Sequence, residues 1–440
     1  MNSSFASSTR GAGYRARLLQ TFHSLQGYNY RIWAAGALVS NIGTWMQSIA
    51  QDWLVLVHLT HHSGAAVGLV MSLQYGPPIV LMPLAGLAAD HFNRRRLLMV
   101  TQSAMGLLAL GLGLLTLSGH VALWQVYAFA GLLGCVGAFD APARQTFVAE
   151  LVGDDNLPNA VALNSTLFNG ARLAGPAVAG LLIAAIGTGW VFVLNALSFV
   201  AVIGALAAMR VAELRQPPRG ASGPLGVVDG FRYLRRHPDL IVALSMLFLV
   251  GTYGLNFPIF ISTMSVSTFH GGPGLYGALS SAMAVGSVAG ALLVAGRKRP
   301  HLVLLRVSAL AFGLGCALAA LMPGPWTFGA LLALVGALAQ TFTTSTNSLV
   351  QLSTEPAMRG RVMAIYMGIF LGCTPLGAPF VGWVADAFGP RWALGVGAAS
   401  GLLAAALATW YLQRGKRRRS GGTPPAASGE LGDAAPGGAA

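Results

Sequence analysis

The sequence predicts an all-α membrane protein of twelve transmembrane helices arranged as two pseudo-symmetric six-helix bundles. Three observations carry that expectation. Apolar residues come in long blocks, in a chain of 440 residues that is 55% hydrophobic and only 9% charged, whereas an average soluble domain is roughly 25% charged. Arg and Lys, with Arg172 the main exception, stand at or near the ends of those blocks. The second half of the chain also repeats a glycine and tryptophan spacing of the first.

A bilayer core about 30 Å thick is crossed by about 20 apolar residues of helix. Blocks of that size lie at 32–58, 64–89, 97–118, 121–142, 158–186, 189–209, 238–263, 273–295, 302–322, 326–350, 360–386 and 390–412. Sustained period-two alternation is lacking, which argues against a strand barrel. The joints set the organisation. Residues 1–30 form a polar N-terminal segment without the apolar core or small-residue cleavage site of a signal peptide. Residues 31–209 make the first bundle, 210–237 a linker rich in Pro, Gly and Arg, and 238–412 the second bundle. Residues 413–440 hold a basic cluster and then low-complexity sequence, for which disorder is expected. Within the linker, VDGFRYLRRH (228–237) suits a short helix on the membrane surface and a plain solvated connection equally well.

Loop charge gives the orientation. Arg94–Arg96, Arg144, Arg210, Arg232, Arg235, Arg236, Arg297–Arg299, Arg359, Arg361 and Arg414–Arg419 bound loops on the side of both termini, while the other side has almost only Arg391. The positive-inside rule then places both termini in the cytoplasm. The net charge of +14 fits that distribution. It forms no basic stripe interleaved with aromatics, so no nucleic-acid partner is expected.

The repeat links Gly180, Gly187 and Trp190 of the fifth and sixth spans with Gly382, Gly389 and Trp392 of the eleventh and twelfth, at one constant offset. Two related helical bundles with a pathway between them make a transporter architecture. Nothing points to an enzyme or a cofactor. A Walker loop, GxSxG and HExxH are missing, and Cys135, Cys316 and Cys373 sit apart in apolar blocks without metal-ligand spacing. Energy must come from an ion gradient or from the substrate's own gradient.

Charges inside a bilayer are costly and are functional candidates by default. Arg172 lies about 21 Å into the fifth span at 1.5 Å per residue, too deep to reach the cytoplasm by snorkelling. It suits either an anionic substrate group or a pairing acid. Asp52, after Gln47 and Gln51 in the first span, is a proton-coupling candidate. An apolar setting favours its neutral form and a nearby guanidinium its charged form, and cycling between the two would carry a proton. A solvated place near the outer interface is the alternative. Asp140 and Arg144, four apart, share one helix face near the cytoplasmic end of the fourth span and suit a gate or packing role. Asp386 and Arg391 are expected to pair across the last outer turn. Candidate cavity-lining residues are Asn41, Gln47, Gln51, Gln74, Tyr75, Asn164, Phe168, Asn169, Asn195, Tyr253, Asn256, Gln340 and Asn347, although some are expected only to join helices.

The loop Gly86-x3-Asp90-His91-x2-Arg94-Arg95-Arg96 resembles the signature between the second and third helices of the major facilitator superfamily. His91 and Asn93 depart from its usual basic residue and glycine, which puts the local charge network in doubt. The resemblance spans about 30–412. It implies the two-bundle fold, a monomer, and a cytoplasmic latch in which Asp90 meets Arg361 or Arg144. Gly86 would let helices approach closely, and Arg94–Arg96 would face an anionic inner leaflet. Residues 41–56 and 139–180 are similar to the enterobactin-exporter and macrolide-efflux branch. Within them Gly170-x4-Gly175-Pro176-x3-Gly180 resembles the fifth-helix motif of drug:proton antiporters. Together these resemblances imply export of a hydrophobic or amphipathic small molecule, drug or siderophore-like, across the cytoplasmic membrane by proton antiport. An importer or uniporter on the same fold and a non-transporting scaffold or sensor stay open as alternatives.

Overall fold

A computed structural model of the protein describes residues 23–153, 156–215, 227–295 and 301–420. Among them there are helices and no strands. The first bundle contains α1 (Tyr28–Trp53), α2 (Gly64–Tyr75), α3 (Pro77–His91), α4 (Arg94–Leu117), α5 (Leu123–Val152), α6 (Leu157–Ile186) and α7 (Thr188–Ala208). After a linker helix, α8 (Val227–Arg236), the second contains α9 (Pro238–Gly254), α10 (Phe257–Thr263), α11 (Pro273–Ala295), α12 (Leu302–Ala320), α13 (Pro325–Ser353), α14 (Pro356–Phe388) and α15 (Pro390–Ser420). Two spans are therefore each built from two helices. The second breaks between α2 and α3 at Gly76-Pro77. The seventh breaks between α9 and α10 at Leu255-Asn256, where Pro258 removes a backbone donor.

Eleven segments among the described residues are long and apolar enough to cross a membrane. The first span is left out by composition, not by length. Its 26-residue helix is about 39 Å long, but Asn29, Ser40, Gln47, Gln51 and Asp52 dilute its hydropathy, and all five are buried. A helix that turns its polar face into a bundle needs fewer apolar residues than one wrapped by lipid. Both α1 and α10 widen at their outer ends into π-type turns, Leu54–Leu59 and Met264–Thr268, so the first spans of the two halves share this irregularity.

The repeat is visible in backbone geometry. Gly187 and Gly389 end α6 and α14 with φ of +85° and +100°, the left-handed region where glycine carries no steric cost. Gly180 and Gly382, about two turns earlier, both lie on the seam between the halves. A Cβ on Gly180 would stand 2.7 Å from the Pro273 carbonyl of α11, and one on Gly382 would overlap the Gly64 carbonyl of α2.

Several boundaries differ from expectation. Helix α5 runs ten residues past the predicted end of the fourth span, to Val152. Helix α15 continues to Ser420, into the stretch expected to be disordered. Basic residues at a helix C-terminus complement its dipole, which supports the extension. Residues 421–440, like Arg297–Arg299 and most of the N-terminal segment, lie outside the described residues. The linker helix is not simply laid on a surface: Leu234 is buried, and Gly230 lies against Arg361 and Ile365 of α14.

Candidate functional site

The two halves touch along two helix pairs, and both contacts concentrate at the outer end, the face opposite the basic loops. Helix α2 packs on α14, where a Cβ on Gly68 would overlap the Ala378 carbonyl and the Ser72 hydroxyl donates to the Pro375 carbonyl at 2.8 Å. Helix α6 packs on α11, where a Cβ on Gly277 would overlap the Pro176 carbonyl and the Ser281 hydroxyl donates to the Leu173 carbonyl at 3.0 Å. Asp386 closes the rim. It accepts from the Ser63 hydroxyl at 2.7 Å and from the backbone amides of Gly64 and Ala65, the latter at 3.0 Å. The expected Asp386–Arg391 pair is thus replaced by a carboxylate of the second half capping a helix of the first.

Toward the basic face the same helices part. A Cβ on Gly86, Gly170 or Gly368 would meet nothing within 4 Å. Gly86 was expected to permit close approach and does not do so here: α3 touches α14 near Ile79 and Gly372, and the end of α3 that carries Gly86 is open. In the fifth-helix motif, Gly175 approaches the Trp45 side chain of α1 and Gly180 approaches α11, but Gly170 faces open space.

Between the halves lies a cavity of about 410 Å³, lined by residues of α1, α2 and α6 on one side and of the seventh, eighth, tenth and eleventh spans on the other. Asp52 and Arg172 are its only lining acid and base among the described residues. Trp45, Ser48, Ile49 and Asp52 form the α1 wall, the i, i+3, i+4, i+7 stripe of one helix face. Asp52 is buried rather than solvated at the outer interface, and the Tyr276 hydroxyl of α11 donates to its Oδ2 at 2.8 Å. Arg172 makes no ion pair among the described residues. Its guanidinium lies 5.8 Å from the centre of the Trp45 ring.

Of the predicted lining residues, Tyr75 and Gln340 do line the cavity, with Pro176 of the glycine-proline motif. The others are absent from its wall for identifiable reasons. Gln47 and Gln51 lie about 100° around α1 from the lining stripe. Gln47 accepts from the Asn195 amide of α7, a joint between helices of one half. Asn41 shares the face of the stripe but stands one turn before Trp45, nearer the basic face and beyond the cavity wall, and Gln74 presents its backbone carbonyl to Gly134 of α5. Asn164, Phe168 and Asn169 lie on the part of α6 nearer the basic face. There Phe168 packs edge-on to Trp45 at 5.9 Å, and Asn169 donates to the Ser165 carbonyl at 2.8 Å. Tyr253 packs on Phe380, and the Asn256 amide donates to the Thr252 carbonyl at 2.7 Å across the break in the seventh span. Asn347 bonds Tyr366.

The side chains of the predicted gate that the structure describes bond within one half, which for Asp140 and Arg144 is the packing role the sequence allowed. Asp140 and Arg144 do pair, at 2.9 Å, but inside the first bundle. Asp140 also accepts from Thr101 at 2.8 Å and Gln102 at 2.6 Å, tying α5 to α4. Arg94 binds Glu150 at 2.7 Å, and Arg95 donates to the Leu206 and Ala207 carbonyls that end α7. These two side chains therefore satisfy protein acceptors, and only Arg96 of the three is exposed for a lipid surface. Arg361 reaches Met358 of its own helix. The Asp90 side chain lies outside the described residues, and with it the expected latch.

The chain matches the family described as "Transmembrane secretion effector" over residues 21–419. It belongs to that family of major facilitator transporters. Among its relatives, this transporter is 28% identical to the multidrug efflux pump Tap of Mycolicibacterium fortuitum, covering 80% of this chain and 88% of Tap. It is 28% identical to the enterobactin exporter EntS of Shigella flexneri, covering 74% and 78% of the two chains. With the staphyloferrin A transporter of Staphylococcus aureus the identity is 26%, over 79% and 87%. Solved structures share the fold. A bacterial homolog of the lysosomal transporter Spinster, inward-facing and unoccupied, superposes with a TM-score of 0.65 at 17% identity, covering 91% of this chain and 99% of that one. The nucleoside transporter NupG gives 0.70 at 15% identity, covering 88% and 99%.

Tyr276 was missed in the sequence. Its signal was available: a phenol inside an apolar span seeks a hydrogen-bond partner. Asp386 had a signal too, since an acid in the last turn of a helix opposes that helix's dipole unless something compensates it.

Proposed function

We propose that this transporter exports an amphipathic small molecule of the drug or siderophore class from the cytoplasm in exchange for protons, as a monomer in the cytoplasmic membrane. The basic face is the cytoplasmic one. The conformation described here is then closed outside and open toward the cytoplasm, ready to load. The observation that carries the reading is the presence of one acid and one base, not bonded to each other, on the wall of a cavity shared by both halves. A volume of about 410 Å³ lies within the range of about 300–1,000 Å³ of small-molecule sites. Trp45, Tyr75, Phe257 and Phe370 offer aromatic surface to an amphipathic ligand, and Asp52 takes the exchanged proton. Tap and EntS, named for drug efflux and enterobactin export, support the direction.

The test is substrate-driven proton movement in proteoliposomes, with a panel of macrolides, cationic dyes and catecholate siderophores. Antiport predicts proton release from the loaded side in response to at least one compound, abolished in Asp52→Asn. Transport at one rate with and without a proton gradient would favour a uniporter instead.

A further inference from the structure

Four sets of side-chain hydrogen bonds join the halves among the described residues. The Asp386 cap lies at the outer rim, and the Ser72 and Ser281 hydroxyls bind backbone carbonyls within the seam. The fourth, Tyr276 to Asp52, differs from these. It ends on an ionisable group, both partners line the cavity, and both are almost inaccessible, at 0% and 5% exposure. It joins α1 of the first half to α11 of the second, so opening the outer seam must break it.

The strength of this bond depends on the charge of Asp52. A hydroxyl bonded to a carboxylate is charge-assisted, roughly twice as strong as a neutral pair. A proton on the carboxyl removes that assistance. Substrate wedged between the two cavity walls would break the bond sterically. Among the described residues, the only other charged or titratable groups on the cavity wall are Tyr75 of α2 and Arg172 of α6. Arg172 makes no ion pair with Asp52 among the described residues. The carboxylate therefore has one hydrogen-bond partner in the opposite half, and that partner is Tyr276.

We propose that the Tyr276–Asp52 hydrogen bond is an interlock that holds the empty, deprotonated carrier closed to the outside. The halves separate at the outer seam only when Asp52 carries a proton or when substrate occupies the cavity. The inference rests on the proton-antiport reading and adds to it the reason why protons do not leak. A carrier that returns inward protonated, releases its proton to the cytoplasm and then re-opens outward empty would dissipate the gradient. With the interlock, release of the proton restores the carboxylate, the bond to Tyr276 reforms, and the empty carrier stays closed outside until substrate arrives.

The experiment compares wild type, Tyr276→Phe, Asp52→Asn and the double variant in two ways. In proteoliposomes with an imposed pH gradient and no substrate, wild type should hold the gradient, and Tyr276→Phe should dissipate it at least five-fold faster. In the same backgrounds, Ala385→Cys at the outer seam reports opening by labelling with an impermeant maleimide at pH 8. Labelling should rise several-fold in Tyr276→Phe, by less in Asp52→Asn, which keeps a neutral acceptor for the hydroxyl, and no further in the double variant than in Tyr276→Phe, because both changes act on one bond. A Tyr276→Phe protein as proton-tight as wild type, with unchanged labelling, overturns the interlock. Additive labelling in the double variant overturns it as well, even if transport is lost. Failure of the antiport reading looks different: wild type would show no substrate-driven proton movement in the panel assay.

Discussion

Asp386 occupies the last turn of α14, where the carbonyl end of the helix repels a carboxylate. The amides that begin α2, together with Ser63, supply the compensation from the other half of the molecule. Caps of this kind contribute about 1 kcal/mol. Asp386→Ala is therefore expected to raise maleimide labelling of Ala385→Cys by about five-fold, while Asp386→Asn, which keeps one acceptor oxygen, has a smaller effect. Asp140 serves stability rather than gating. Asp140→Leu leaves the half-buried Arg144 unpaired, a loss of up to about 3 kcal/mol, which a fall in the melting temperature of detergent-solubilised protein would register; Asp140→Asn keeps an acceptor for Thr101 and falls less. Asp52 and Arg172 were legible in the sequence because an isolated charge in an apolar block is conspicuous whatever its partners. Tyr276 was not, because a tyrosine near the start of a span reads equally well as an interfacial anchor.

At the scale of helices, glycines decide where the halves can meet. Gly277 and Gly180 bring α11 and α6 to backbone contact, and Gly64, Gly68 and Gly382 do the same for α2 and α14. Gly277→Val drives a side chain into the Pro176 carbonyl, so outer closure should fail and transport fall at least ten-fold at normal expression. Gly170→Ala meets nothing in this conformation and should leave its thermal stability unchanged to within about 0.5 kcal/mol, the usual range for benign substitutions, as differential scanning fluorimetry would report. The spans themselves could be read from block length and loop charge, to within a few residues except at the fourth and last. The breaks in the second and seventh spans could not be located, because Pro and Gly are common in membrane helices that stay continuous. Nor could the lining face of α1 be chosen. Gln47 and Gln51 advertise polarity, yet neither lines the cavity, Gln47 being bonded to a helix of its own half, and the stripe through Trp45, Ser48 and Asp52 forms the wall.

For the whole molecule, a seam sealed at one end and parted at the other predicts that fixing the sealed end stops the cycle. A Cβ at residue 64 would lie 3.2 Å from that of Ala385, a few tenths of an ångström short of the usual disulfide separation of about 3.5–4.5 Å. The double variant Gly64→Cys/Ala385→Cys should lose transport on oxidation and regain it with dithiothreitol, and non-reducing electrophoresis after cleavage in the linker would confirm the cross-link. The repeat between the halves was legible down to Gly180 and Gly382, but their shared position on the seam became evident only once α6 met α11 and α2 met α14. The pair of charges on the cavity wall has an electrical corollary. With Asp52 ionised, its charge cancels that of Arg172, and a carrier loaded with a neutral compound crosses the field uncharged. With Asp52 protonated, the returning carrier bears one positive charge. If the exchange is with protons as proposed, each turnover moves one charge inward, and an inside-negative membrane potential of 100 mV drives it with about 2.3 kcal/mol. Export of a neutral compound should accordingly continue, driven by voltage alone, when the two sides of the membrane are held at equal pH.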